Sequence, residues 1–271
     1  MRLVRDGFRV YAGVRTDEDG LSLIREGGEA ISPILLDITN ADHIAAAAAR
    51  LADETAERGL PALVNNAGIA IAGPLEFIPI DELRRQLEIN VISQIAVTQA
   101  MLPLLRRARA GANPDHRTGR IVFMSSLAGR SVLPFLGPYA ASKFALEAIA
   151  DSLRMELQPF GIRVLLIEPG VIATPIWQTS RAAGARNMER MGAQSQEFYG
   201  RELSALDRIT GKAMKGLPPE KVAELVSHAV TSRRPKTRYV IGRGARTRIL
   251  LEHILPSGVR DRLVLAALRR M

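Results

Sequence analysis

Short apolar runs and amphipathic stretches alternate along this chain, and that alternation limits its fold more than any other feature. VYAGV (Val10 to Val14) reads as a buried strand, PILLDI as a second closed by Thr39 and Asn40, and the alanine-rich stretch from Ile44 to Arg58 as a helix ended by Gly59. ALVNNAG is the next strand with its turn. Asp81 then caps a long helical pattern through ELRRQLEINVISQIAVTQAMLPLLRRA, and AGANPDHRTG is a surface loop. RIVFMSS, RVLLIEPG and TRYVIG are later strands; between them lie the helical stretches YAASKFALEAIADSLRMELQPFG and VAELVSHAVTSR. Strands and helices in alternation predict a doubly wound, mostly parallel sheet with crossover helices on both faces. A length of 271 residues and an apolar share of 47% suit one such domain, residues 1–271. The chain before VYAGV is short: RLVRD reads as the last turn of a helix and Gly7 as its left-handed cap.

Composition removes several function classes. No cysteine is present, which excludes disulfides, thiolate nucleophiles and sulfur metal sites and points to a reducing cytoplasm. His43, His116, His228 and His253 are scattered, so no metal site is expected. No apolar run approaches the roughly 18 to 20 residues that cross a bilayer, and no secretory h-region opens the chain, so a soluble protein is expected. The net charge of +9 gathers from Arg233 onward without interleaved aromatics or zinc-finger spacing, and nucleic-acid binding is not expected. The ending VRDRLVLAALRR reads first as a C-terminal helix docked on the sheet, with peripheral contact to an anionic membrane as its other use. GRGAR (Gly242 to Arg246) reads as a basic turn. The stretch 174–217 mixes Trp177, Met188, Met191, Phe198, Tyr199 and Met214 with polar residues in weak periodicity. It suits a substrate lid within the domain or a surface helical pair on the sheet edge.

The chemistry concentrates in SSLAGRSVLPFLGPYAASK. Tyr139 and Lys143 are four apart on a helix, so their side chains share a face. An ammonium beside a phenol lowers the phenol's pKa from about 10 and suits it to acid–base work near neutral pH. Ser126 ends a strand where the carboxyl edge of a parallel sheet faces the ligand crevice, placing its hydroxyl to bond a carbonyl oxygen.

With these three residues in this order, the chain resembles the short-chain dehydrogenases/reductases, classical type. The resemblance runs over nearly the whole length and carries further motifs in register. It implies a catalytic tetrad of Asn90, Ser126, Tyr139 and Lys143: Tyr139 exchanges a proton with the substrate oxygen, Lys143 lowers its pKa and holds the nicotinamide ribose, Ser126 positions the oxygen, and Asn90 holds a water in the proton relay. It implies cofactor contacts from Asp37 and Ile38 near the adenine, from Asn66, Ala67 and Gly68 beside the adenosine ribose, and from Pro169, Gly170, Ile172 and Thr174 near the nicotinamide. Plainer uses stand beside these: Asn90 satisfying buried backbone, Asp37 closing an Asx-type turn, Thr174 capping a helix with Pro175 behind it. Val14 occupies the position where an acid selects NAD and Arg15 follows, which favours NADP over NAD. Leu133, Phe135 and Trp177 suggest an apolar pocket for a small alcohol or ketone, as in the branch handling retinoids and steroids. The family also pairs subunits through its two long helices, so a homodimer or homotetramer is expected.

In that fold a strand, a glycine-rich turn and a helix precede RLVRDGFRVYAG, and here only the helix's tail is present. The absent strand is central in the order 3-2-1-4-5-6, and its neighbours would stand about 10 Å apart with unpaired ladders. Loss of the turn removes backbone donors for the pyrophosphate, so weak cofactor binding is expected of the chain as written. A translation start upstream of Met1 is the favoured explanation; a truncated, non-catalytic scaffold is the alternative.

Overall fold

The computed structural model describes residues 1–110, 119–174, 176–213 and 216–269. The loop expected after Ala110 lies outside these residues, as do Met214 and the side chains of Trp177 and Met188. The order is α1 (Arg2–Arg5), β1 (Val10–Val14), α2 (Asp17–Gly27), β2 (Ile31–Leu35), α3 (Ala41–Thr55), β3 (Ala62–Asn65), α4 (Ile80–Leu87), α5 (Ser93–Ala110), β4 (Arg120–Met124), α6 (Gly137–Glu156), β5 (Arg163–Pro169), α7 (Ile176–Ala213), α8 (Pro219–Thr231), β6 (Arg238–Ile241), α9 (Ala245–Ile254) and α10 (Ser257–Arg269).

All strand pairs are parallel. The central strands carry apolar residues on both faces because helices cover both faces. In β4 and β5, Ile121, Phe123, Val164 and Leu166 pack with α3, α5 and α6, whereas Val122, Leu165 and Ile167 pack with Val226, Ala229 and Val230 of α8. The period of two along each strand thus divides the core into two layers. Arg120 is buried at the start of β4 and donates to the carbonyls of Ala229 and Ser232 at 2.5 and 2.6 Å, placing a cation at the C-terminal end of α8.

The strands form two sheets, β1 with β2 and β3-β4-β5-β6. The facing edges of β1 and β3 pair with no strand among the described residues, and a cavity of about 1760 Å³ lies between them. On one side it is lined by Val10–Val14 and on the other by Ala62–Asn65.

Local chemistry explains most boundaries. Gly7 closes α1 at φ 85, with Gly7 N–H donating to Val4 O and Phe8 N–H to Leu3 O, both at 3.0 Å, a Schellman arrangement. Asn40 Oδ1 caps α3 by accepting from Asp42 N and His43 N. Asp81 lies in the first turn of α4 instead of capping it, and bonds Arg190 at 2.8 Å. Between α4 and α5 the helix widens into a π turn over Glu88–Ile92. By length and composition Ile80–Ala108 could cross a membrane, yet Val97, Met101, Leu104 and Leu105 sit in the core.

One expectation needs correction, and two helices were not foreseen. The polar stretch Asp17–Gly27 is a helix, capped by Thr16 and opened by Asp17, Glu18 and Asp19. GRGAR turns at Gly242–Gly244, as read from the sequence, and leads into α9, a helix of its own. The C-terminal helix α10 does not dock on the sheet: it buries none of its described residues, and Val259, Leu263 and Leu265 are exposed. Within the stretch 174–217, Ile176–Ala213 is a pair of helical arms broken at Gly192, whose φ is 75. Met191 buries against Ile71 and Ile78, and Tyr199 meets the edges of Phe77 and Phe135.

Candidate active site

Beyond β3 the segment from Asn66 to Ile71 descends from the exposed Asn66 and Ala67 to the buried Ala70 and Ile71 and pairs with no strand among the described residues, so its backbone needs side-chain partners. One stripe of α4 and α5 supplies them. Gln86 donates from Nε2 to Ile69 O at 2.8 Å and accepts at Oε1 from Ile71 N at 2.7 Å. Asn90 accepts from Ile69 N and donates to Ile69 O, both at 2.9 Å, and donates to Ser142 Oγ at 3.0 Å. Gln94 Nε2 donates to Ala67 O at 2.7 Å, and Thr98 Oγ1 accepts from Asn65 Nδ2 at 2.9 Å. Asn90 thus satisfies buried backbone, one of its two expected uses. Gln86 and Gln94 are the site residues that sequence reasoning passed over; amides recurring every fourth position in an otherwise buried helix were the available signal.

Ser126, Tyr139 and Lys143 come together as the motif requires. Ser126 follows β4 in extended backbone; its Oγ accepts from Ala128 N at 3.1 Å and donates to Pro169 O at 3.4 Å. Pro138 in the first turn of α6 fits the helix start and places Tyr139 immediately after it. Lys143 Nζ lies 5.7 Å from the centroid of the Tyr139 ring, and both residues are buried. Gly129 lets the serine loop approach α6: a Cβ there would stand 3.0 Å from Lys143 O.

The electrostatics differ from the expectation that Lys143 draws the phenol's pKa down. Burial raises the Tyr139 pKa, and the hydrogen bond with Ser126 only partly opposes it. Burial likewise pulls Lys143 down to about 8, against the attraction of Glu147. The ammonium is directed at Met124 O, 2.7 Å away, and spends its charge there.

Behind Lys143 lies an ionic cluster built on the buried Glu147 and Glu168, its other members half-buried. Arg238 Nε stands 3.0 Å from Glu147 Oε2 and 3.1 Å from Glu168 Oε1, and its Nη2 stands 2.7 Å from Asp151. Arg130 approaches Glu168 at 3.5 Å. Burial and the neighbouring Glu147 push Glu168 up to about 7. Among the described residues Glu147 Oε1 and Glu168 Oε2 have no hydrogen-bond partner, as befits two carboxyls that share the Arg238 guanidinium.

The expected cofactor residues divide between two cavities. Arg15, Asp37, Ile38, Asn66, Ala67 and Gly68 line the larger one between β1 and β3. Ser126, Leu133, Tyr139 and Gly170 line a second of about 530 Å³. Pro169 ends β5, Ile172 bridges to Leu217, and Thr174 N bonds Ile172 O at 3.0 Å beyond it. Asp37 closes an Asx turn, accepting from Thr39 N at 2.9 Å and Thr39 Oγ1 at 2.7 Å, bonds that hold its pKa low. Phe135 does not line either cavity; it packs against Tyr199, and its carbonyl accepts from Gly73 N. The donor present at Lys143 fits the nicotinamide-ribose end of a nicotinamide dinucleotide. Lys143 uses one of its three N–H groups, and a Cβ at Gly68 would stand 3.2 Å from Asn90 Oδ1, so the floor there is as low as backbone allows.

A doubly wound parallel sheet with serine, tyrosine and lysine meeting at its carboxyl edge defines an oxidoreductase of the nicotinamide-dependent class. The chain belongs to the short-chain dehydrogenase family, whose model matches residues 1–185, and to its retinol dehydrogenase-like branch. It is 33% identical to an NADPH-dependent 3-dehydrocapnine reductase of Ornithobacterium rhinotracheale, over 100% of this chain and 92% of that protein. Retinol dehydrogenase 16 of Mus musculus is 34% identical over 97% of this chain and 82% of its own length. A crystal structure of a short-chain dehydrogenase from Streptomyces avermitilis superposes with a TM-score of 0.73 at 26% identity, over 97% of this chain and 88% of that one.

Two outcomes follow from the buried polar groups. Gln86→Leu leaves Ile71 N without its partner and lowers stability by about 1–3 kcal/mol, measured by urea denaturation. Folded, Glu168 keeps its proton up to about 7, whereas unfolded it loses it near 4.5, so stability falls as pH rises through that window. In Glu168→Gln this fall is reduced, which melting temperatures taken below and above the window will show.

Proposed function

We propose that this chain transfers a hydride between NADP(H) and an apolar alcohol or ketone, with Tyr139 as the proton donor and acceptor. The observation that carries the proposal is the meeting of Ser126, Tyr139 and Lys143 at the carboxyl edge of β4, with the phenol on the wall of a largely apolar cavity. When bound, NADPH supplies the hydride. Arg15 takes the 2'-phosphate, Asp37 and Ile38 flank the adenine, and Asn66, Ala67 and Gly68 lie beside the adenosine ribose. Lys143 holds the nicotinamide ribose with its remaining donors, and Pro169, Gly170, Ile172 and Thr174 border the nicotinamide. The similarity to an NADPH-dependent reductase supports this choice of cofactor.

The residues divide the proton chemistry. Tyr139, raised by burial, stays protonated at neutral pH and gives its proton to the substrate oxygen as the hydride arrives. Ser126 orients that oxygen, and Asn90, through Ile69 and Ser142, fixes the surrounding backbone. Leu127, Leu133, Leu136, Val171 and Leu217 face the substrate's apolar part. The arm of α7 after Gly192 packs on Phe77 and Phe135, and the start of α7 borders the larger cavity with Ile176 and Ser180, positions that suit a lid. The enzyme works in a reducing cytoplasm, in keeping with a sequence free of cysteine. Copies pair through α5 and α6, where Phe144 and Met155 remain exposed; sedimentation as a monomer alone would rule this out.

Tyr139→Phe keeps the ring and removes the exchangeable proton. It should lower kcat for ketone reduction by about 100-fold to 10,000-fold while leaving NADPH affinity within about twofold, measured by NADPH absorbance and calorimetry. Turnover that survives this substitution refutes the assignment.

A further inference from the structure

The GRGAR turn stands on the wall of the cavity that holds Ser126 and Tyr139. Gly242 at φ 146 and Gly244 at φ 67 turn the chain sharply from β6 into α9, a path that L side chains resist. Arg243 is held between them, and Arg248 follows one turn into the helix. Both line the cavity, and no aspartate or glutamate does among the described residues.

These two guanidiniums are poorly neutralised. Arg248 Nε donates to Ser131 Oγ at 2.6 Å and its Nη2 to Val132 O at 3.4 Å, both uncharged acceptors. Arg243 makes no hydrogen bond or ion pair among the described residues. Glu252 is the acid that attracts Arg248, but it is committed elsewhere: it pairs with Arg260 at 2.7 Å and accepts from Ser131 Oγ at 2.5 Å. Burial pulls Arg248 below its usual range, as expected of a cation without a close counterion. The rest of the lining is apolar or small: Leu127, Leu133, Leu136, Val171 and Leu217, with glycines and serines. Such a cavity offers an apolar wall to a chain and a two-pronged cationic wall to a planar or tetrahedral oxyanion.

We infer that the substrate is an acidic amphiphile, an apolar chain bearing an oxyanion group, and that Arg243 and Arg248 hold that group while the carbonyl or carbinol meets Ser126 and Tyr139. The inference deepens the oxidoreductase reading and depends on it only for which carbon reacts. Arg243 and Arg248 act on binding and specificity and take no part in the proton transfer. Arg248 also braces the Ser131–Val132 loop, so Arg243 is the cleaner residue to change.

The test compares a ten-carbon oxo-carboxylate with its methyl ester by calorimetry on the full chain, with NADPH present. The acid should bind the unaltered protein about tenfold or more tightly than the ester. Arg243→Gln should remove most of that difference and leave the ester unchanged, and added salt should weaken the acid alone. Equal binding of acid and ester by the unaltered protein overturns the inference. So does an Arg243→Gln variant that weakens both alike, or a failure of the acid to bind at all. An acid that binds through Arg243 but is never reduced leaves this site standing and removes the oxidoreductase reading. An ester reduced as readily as the acid does the reverse.

Discussion

A loop can cross a protein interior only if its peptide groups find partners there, and here four side chains on one edge of a helix provide them. Gln86, Asn90, Gln94 and Thr98 engage Asn65 and the backbone at Ala67, Ile69 and Ile71. The π turn between α4 and α5 lies in the middle of that stripe and shifts its phase, so Asn90 meets both backbone groups of Ile69 and also reaches Ser142 on α6. Two walls of the crevice, the loop after β3 and the helix bearing Tyr139 and Lys143, are thereby fixed to one another. The rest of the site is built on that joint.

How far the sequence revealed this depends on which physical signal each element leaves. The strands were legible because parallel strands covered on both faces are uninterrupted apolar runs, as in RIVFM and RVLLI. Tyr139 and Lys143 were legible because helical spacing alone brings them together. The helix Asp17–Gly27 left no such trace: Gly20 is its one buried residue, because the helix lies over the sheet's edge with most of its surface in water. The π turn was equally hidden, since the phase shift of a single extra residue is lost among the mixed apolar and polar positions of so long a helical pattern. Nor did spacing tell where the Lys143 ammonium points; that depends on Met124 O, which a distant strand brings to it.

Charge is distributed around α6 in two contrasting ways. On the side of Glu147, every cation has an acid within reach: Arg238 touches Glu147, Asp151 and Glu168, and Arg130 shares the last. Removing one partner there would leave a buried charge exposed to its own desolvation cost. On the side of Tyr139, across the serine loop, Arg243 and Arg248 line the cavity with no acid on its wall among the described residues. The first arrangement holds the scaffold together, and the second leaves positive potential for an incoming molecule.

The loop between Ser126 and Tyr139 contains a residue under torsion. Phe135 sits at φ 67, a backbone state that costs a side-chain-bearing residue roughly 1–2 kcal/mol. It is kept there by the edge of Tyr199 on α7 and by the bond from Gly73 N to its carbonyl. The loop is therefore a wound spring with its catch on another element. The contact with Tyr199 thus ties α7 to the backbone two residues before Gly137, where the tyrosine's helix begins.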